Sequence, residues 1–154
     1  MGRALRGEAG GERLHDEVAL RLRAVNQRYT PGRRVIVDVL SSAPRPLTVP
    51  EILGSPPGAG LRQSSAYRNL TVLVDAGVVH RLAGDDLGRF ELVEDLSGHH
   101  HHLVCDSCGV FADVTALPRL ERALAEAARL AADETGFVVT GHRIDLVGRC
   151  VDCR

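Results

Sequence analysis

Two cysteine pairs of identical spacing constrain the fold of this chain more than any other feature. Cys105 and Cys108 form one Cys-x-x-Cys pair, Cys150 and Cys153 form the other, and these are all four cysteines of the sequence. The two-residue gap lets both sulfurs of a pair face one ion, and four thiolates suit a closed, tetrahedral structural zinc site. A redox dithiol would not need two matched pairs, and free buried cysteines would not cluster in this way. The sequence therefore predicts a zinc ion that holds the end of the chain against its middle.

Length and hydropathy limit the class of protein. The 154 residues suffice for one ordinary domain or two small ones. No apolar run reaches the ~18 residues of a membrane span, and Met1–Gly7 lacks the apolar stretch of a secretory signal. We therefore expect a cytoplasmic protein without a membrane segment, in which reduced cysteines favour metal binding over disulfides.

The net charge of −1 conceals an asymmetry between the two halves of the chain. Residues 1–84 carry twelve Arg against seven Asp and Glu, which gives +5, and residues 85–154 carry seven Arg against thirteen acids, which gives −6. A basic first half suits contact with nucleic-acid phosphates, and an acidic second half suits cations. The alternative is a chance asymmetry between two solvated surfaces.

The first half has the pattern of several helices followed by a hairpin. We interpret residues 1–11, rich in Gly and charge, as a flexible leader. Apolar spacing and capping residues predict four helices: Glu12 to Val25, Pro31 to about Ser41 behind Thr30, a short one behind Thr48, and one capped by Ser64 or Ser65 that ends at Ala76. Alternation then predicts strands Val78–Leu82 and Arg89–Val93 around a turn at 84–88. This order indicates a winged helix-turn-helix, a DNA-binding fold.

The second half alternates strands with one long helix. We predict strands at 100–104, 110–114 and 137–147, and an Ala-rich helix from Leu117 to Thr135. Such a unit is too small to be stable on its own, which favours dimerisation through it. The predicted fold class is α+β: a winged-helix DNA-binding domain in residues 12–95, followed by a small α/β dimerisation domain in residues 96–154.

Four consecutive histidines, His99 to His102, directly precede the first cysteine pair. On a strand, alternation places His99 and His101 on one face and His100 and His102 on the other, so that two metal sites could share it. The alternatives are a surface cluster without function and a purification scar. Other residues able to bind metal are Glu91, Glu94, Asp95, Asp113, His80, Glu121 and His142, each of which taken singly is an ordinary surface residue.

Four segments together resemble the ferric uptake regulator family. They are Thr30-Pro31-Gly32-Arg33, Ala66-Tyr67-Arg68-Asn69-Leu70, Arg89-Phe90-Glu91-Leu92, and the run from His99 to Gly109. The similarity continues in order from the first helix to Cys153, nearly the whole chain.

This resemblance implies three metal positions. The structural zinc falls on Cys105, Cys108, Cys150 and Cys153. A regulatory hinge site, which senses metal and couples the two domains, falls on Glu91, His100, His102 and Asp113, and an additional site falls on His99, His101, Glu121 and His142.

This chain departs from the family pattern in two places. Iron-sensing members usually offer a histidine before the third helix, where this chain has Pro46-Leu47. His80, at the start of the wing, resembles a hinge ligand of zinc uptake regulators and would replace the histidine ligand that is missing at Pro46-Leu47. The segment from Asp113 to Gly136 is about one helical turn longer than is usual in the family, and this departure affects the assignment of Glu121 as a metal ligand.

The resemblance also implies how the winged helix reads DNA. Tyr67 and Arg68 would face the major groove and Arg28 the minor groove, and we expect Arg33, Ser64 and Ser65 at the same surface. Arg suits guanine, phosphate and narrow A·T-rich minor grooves, and a tyrosine can contact a thymine methyl. The alternative for Tyr67 is a core aromatic.

The sequence thus predicts a homodimeric, metal-dependent repressor that binds an A·T-rich palindromic operator and controls metal homeostasis genes. Its expected metals are a structural Zn(II) and a regulatory Zn(II) or Fe(II), with zinc preferred. An iron- or peroxide-responsive regulator is the alternative within the family. A small zinc hydrolase is the alternative outside it, but the sequence has no His-Glu-x-x-His segment or comparable catalytic motif. We therefore expect no enzymatic activity.

Overall fold

The computed structural model describes residues 8–82 and 88–154, which divide into two compact units. The first unit ends at Gly98, three residues after the predicted boundary, and the second comprises His99–Arg154. The elements of the first unit are α1 (Glu8–Ala24), α2 (Pro31–Ser42), α3 (Val49–Gly54), α4 (Gln63–Asp75), β1 (Val79–Leu82), β2 (Arg89–Leu92) and α5 (Glu94–Ser97). The strands β1 and β2 pair antiparallel and form the wing hairpin.

Helix N-caps and one buried apolar cluster account for the fold of the first unit. Thr30 accepts a hydrogen bond from Arg33 N at the start of α2, and Thr48 with Glu51 forms a capping box on α3. The buried faces of the helices pack together with the wing, and among the most deeply buried side chains are Val18, Leu22, Ile36, Val37, Ile52, Leu70 and Leu73. The wing is attached through Phe90, whose backbone pairs with that of Leu47 ahead of α3.

Two boundaries differ from the sequence prediction. Helix α1 begins at Glu8, inside the predicted leader of residues 1–11, because an established helix extends through Gly at a cost of only about 1 kcal/mol per residue. Helix α4 begins at Gln63 behind Arg62, so Ser64 and Ser65 are helical residues and not the cap. The first residues of the chain and the predicted turn residues 84–87 lie outside the described residues.

The second unit is a three-stranded sheet with one helix. Its elements are β3 (His100–Cys105), β4 (Phe111–Thr115), α6 (Pro118–Thr135) and β5 (Asp145–Gly148). The central strand β3 pairs antiparallel with β4 and parallel with β5. The predicted strand 137–147 is wrong in its first part, because only 145–148 find a ladder partner on β3, and Phe137 and Val138 are exposed.

Among the described helices, none combines the length and apolar character that a bilayer crossing requires.

Candidate metal centres and DNA-reading surface

The four cysteines come together at the end of β3. Their sulfurs lie within 4.8 Å of one another, and Cys108 Sγ is 3.7 Å from Cys150 Sγ. A tetrahedral ion with Zn–S bonds of about 2.3 Å separates its sulfurs by roughly 3.8 Å. The arrangement therefore fits one zinc ion held by Cys105, Cys108, Cys150 and Cys153.

Backbone groups favour the thiolate form of one member of this cluster, Cys105. The amide of Cys150 donates a hydrogen bond to Cys105 Sγ at 3.4 Å, and the backbone N–H groups of Cys150 and Cys108 lower the pKa of Cys105 to about 6. Hydrogen bonds to the charged form favour it, and the thiolate is the form that binds metal.

A second cluster lies on one face of β3 and involves α6. His99 Nε2 is 3.0 Å from Glu121 Oε2 and 3.1 Å from His142 Nε2, and His101 Nε2 is 2.6 Å from Glu121 Oε1. The contact with His101 lowers the pKa of Glu121, which keeps the carboxylate ionised. Three imidazoles and one carboxylate form a donor set that suits zinc. Despite the longer segment around α6, Glu121 reaches this cluster.

The opposite face of β3 carries His100 and His102. Their rings pack edge to face with centroids 5.0 Å apart, and their ligand atoms lie within 4.8 Å of a carboxylate oxygen of Asp113 on β4. His102 and Asp113 are cross-strand partners, which explains their proximity. A second carboxylate is also present, because Asp145 Oδ1 is 3.2 Å from His102 Nδ1. The predicted division of the four histidines between two faces is therefore what the structure has.

The two remaining predicted hinge ligands lie in the first unit, on the wing. His80 on β1 stands directly opposite Glu91 on β2. Directly opposed residues of an antiparallel pair project to the same face of the sheet, with Cβ atoms about 5 Å apart. The wing hairpin thus presents one imidazole and one carboxylate side by side.

Helix α4 presents the predicted DNA-reading residues to solvent. Tyr67 is 40% exposed, which argues against the alternative of a core aromatic. Arg68 and Ser64 are also exposed, and the Nε of Arg68 donates to the Ser64 carbonyl at 3.2 Å. Ser65 is half-buried. The apolar side chains of the helix, among them Leu70 and Leu73, face the core instead.

The loop before α2 carries Arg28, which is exposed. Arg33 holds this loop from within: its Nη2 donates to Gln27 Oε1 at 3.0 Å and its Nη1 donates to the backbone carbonyl of Arg28. The Nε of Arg33 is buried. Its guanidinium therefore fixes the backbone from which Arg28 projects.

Comparisons with known proteins agree with these features. The model of the ferric uptake regulator family matches residues 24–147. A peroxide-responsive repressor of Staphylococcus aureus is 35% identical over 143 residues, which are 90% of this chain and 90% of that protein. The ferric uptake regulator of Helicobacter pylori has a TM-score of 0.73 at 21% identity, over 99% of this chain and 97% of its own. That of Pseudomonas aeruginosa with manganese has a TM-score of 0.64 at 28% identity, over 84% and 95%. This chain belongs to the ferric uptake regulator family.

Family membership settles the general class of function. The chain is a metal-responsive, DNA-binding transcription regulator and not an enzyme, so the hydrolase alternative is wrong. The predicted fold class, a winged-helix domain followed by a small α/β dimerisation domain, is confirmed.

Sequence reasoning missed two residues that act on the candidate sites. Asp145 was overlooked because the register of the parallel pair β3–β5 cannot be read from local sequence. Gln27 was overlooked because its amide reaches Arg33 across a loop. The position of Asp145 between His142 and Cys150, which the resemblance assigns to two different metal sites, was a signal that this residue lies close to a metal site.

Proposed function

We propose that this protein is a homodimeric repressor that acts in the cytoplasm, senses zinc and binds an A·T-rich palindromic operator of metal homeostasis genes. In this proposal the four cysteines hold a structural zinc. His80, Glu91, His100 and His102 hold the regulatory zinc with Asp113 beside them, and His99, His101, Glu121 and His142 hold an additional ion. Metal at the regulatory site would fix the angle between the two winged-helix domains of the dimer, so that their recognition helices enter successive major grooves.

The register of the wing carries the preference for zinc. Because His80 stands opposite Glu91, the wing offers a nitrogen ligand beside its carboxylate. Together with His100 and His102 this makes three imidazoles and one carboxylate, enough for tetrahedral zinc. Iron and manganese favour more oxygen ligands. Where iron sensors place a histidine before the third helix, this chain has Pro46-Leu47, and the backbone of Leu47 is paired with that of Phe90.

The surface of the second unit supports a homodimer. Large apolar side chains are exposed along 137–139 and on β5, with Phe137 75%, Val138 87% and Val147 70% exposed. Apolar residues grouped in this way mark an interface. A second copy of the same chain is the occupant that the family fold implies.

The exposed residues of the winged-helix domain support the assignment of an A·T-rich operator. Tyr67 and Arg68 are exposed on α4, and Arg28 is exposed on a loop whose backbone Arg33 fixes. We propose that Arg28 enters a narrow A·T-rich minor groove and that Arg33 acts by positioning it, in place of contacting DNA itself. Ser64 lies near the start of α4, where its hydroxyl can reach a phosphate.

The test begins with the operator. Selection from a random DNA pool by the zinc-loaded protein should enrich an A·T-rich inverted repeat. Binding of this DNA by the parent, His80→Ala and the control His142→Ala is then measured in buffered free zinc and, anaerobically, in buffered ferrous iron. We expect zinc activation of the parent and of His142→Ala, and its loss in His80→Ala. Activation by iron at cell-like concentrations that does not depend on His80 would overturn the zinc assignment.

Peroxide sensing is the second candidate. Two observations favour it: the relative at 35% identity is a peroxide-responsive repressor, and Asp113 adds a carboxylate beside His102. An iron-loaded site of histidines and carboxylates could oxidise its own ligands. Treatment of the ferrous protein with hydrogen peroxide, followed by mass spectrometry, tests this directly. Oxygen addition at His100 or His102 with loss of operator binding supports peroxide sensing, whereas an unmodified, DNA-bound protein contradicts it.

A further inference from the structure

The ring of His102 is held between two carboxylates, one at each nitrogen. Its Nδ1 is 3.2 Å from Asp145 Oδ1 on β5, and its Nε2 is 4.0 Å from Asp113 Oδ1 on β4. The sheet imposes this arrangement, because His102 on the central strand is the register partner of both aspartates. The ring is 7% exposed and packs between His100 and Phe111.

The two carboxylates act on the ring in different ways. Asp145 can accept a hydrogen bond from Nδ1–H, which leaves the Nε2 lone pair on the side of Asp113 and His100. Histidines that bind metal usually donate their other ring N–H to a carboxylate or carbonyl, which fixes the tautomer and raises the basicity of the ligand. His101, the other buried histidine of β3, differs, because its Nδ1 has no hydrogen-bond partner among the described residues.

We propose that Asp145 is a positioning residue of the regulatory metal site, which holds His102 in the Nδ1–H tautomer with Nε2 directed at the ion. This inference rests on the proposed role of His102 as a ligand. Asp145 lies at the ring edge away from Nε2 and does not itself bind the ion. Loss of such a partner lowers metal affinity by about 10–100-fold in other proteins.

Zinc binding without DNA tests this proposal. The structural zinc of the intact protein is quantified first, and a chromophoric chelator then measures the affinity of the regulatory site in the parent, Asp145→Asn, Asp145→Glu and His102→Ala. Asp133→Asn is the matched control, because Asp133 is an exposed acid on α6 that pairs with Arg129. We expect a loss of about 10–100-fold in Asp145→Asn, partial recovery in Asp145→Glu, and parent affinity in the control.

Two spectra separate positioning from a structural or direct-ligand role. The ¹⁵N shifts of the His102 ring should report the Nδ1–H tautomer in the parent and a tautomer mixture in Asp145→Asn. The visible spectrum of the Co(II)-substituted protein should keep its coordination number in that variant. Parent affinity and an unchanged tautomer in Asp145→Asn overturn the positioning role, and a lower coordination number overturns it in favour of direct ligation. If His102→Ala also binds the regulatory zinc as tightly as the parent, the ligand assignment in the proposed function is wrong as well.

Discussion

Replacement of Glu51 by Gln should destabilise the first unit, because one carboxylate ties α3 to the wing. Glu51 accepts hydrogen bonds from Arg45 at 2.7 Å, from Arg89 at 3.2 Å and from the backbone N–H of Thr48 at 2.7 Å. The side chain of Arg89 is only 10% exposed. Gln keeps the size of the side chain but removes the charge that these donors share.

The expected loss is about 2 kcal/mol of unfolding free energy. Charge-assisted hydrogen bonds contribute roughly 1.5–3 kcal/mol each, and this value is reduced for Arg45, whose side chain is 29% exposed. Burial opposes ionisation, but hydrogen bonds from Arg45 and Thr48 outweigh it and lower the pKa of Glu51 to about 2. A lowered pKa stabilises the folded state above the unfolded value of 4.5 and is lost as pH falls towards 2. The difference between parent and variant should therefore be constant near neutrality and shrink below pH 4.5.

Urea unfolding of the zinc-loaded protein, at one protein concentration, measures this difference. Glu126→Gln is the matched control, since the pair Glu126–Arg129 on α6 is exposed on both sides and should contribute no more than about 0.5 kcal/mol. The zinc content of both variants should equal that of the parent. A Glu51→Gln variant no less stable than Glu126→Gln, or a difference that persists unchanged at acid pH, would refute this account of the carboxylate.

Three further variants test the metal and DNA assignments. Cys105→Ser should lose about one zinc per chain and fold or dimerise more weakly, because structural zinc contributes to folding free energy; unchanged zinc in elemental analysis contradicts the four-cysteine site. His100→Ala should keep that zinc but bind the operator equally with and without added metal. If added metal stimulates DNA binding by this variant as much as by the parent, the assignment of His100 to the regulatory site is wrong. Arg68→Ala should weaken operator binding by about 1–3 kcal/mol, with a smaller salt dependence if the lost contact is to phosphate; parent affinity in fluorescence anisotropy excludes it from the interface.

Local chemistry made much of the fold predictable from sequence. Thr30 and Thr48 start helices α2 and α3 as N-caps, and Gly77, with φ of +65°, follows the end of α4. The alternation of the histidines on β3 was readable because a strand has a strict period of two. The cysteine spacing predicted its own cluster.

Features that depend on distant partners were not predictable in this way. Asp145 gains its place only when β5 pairs parallel with β3, and the length of β5 depends on how much of the segment from Phe137 finds a neighbour. The start of α4 was misplaced because Ser64 has the chemistry of a cap, yet the preceding Arg62 already has the extended backbone of the N-cap position.

The central position of β3 has a consequence for how this sequence can change. The run of four histidines, 99–102, begins one residue before this strand, so a slip of one residue in the register would still leave an imidazole at three of the four positions. Each imidazole would, however, exchange Glu121 and His142 for Asp113 and Asp145, or the reverse. The pairing with β4 and β5, and not the histidine run, therefore decides which cluster of side chains each histidine joins. A single-codon deletion within the run could exchange histidines between the two clusters while the composition of the strand hardly changed.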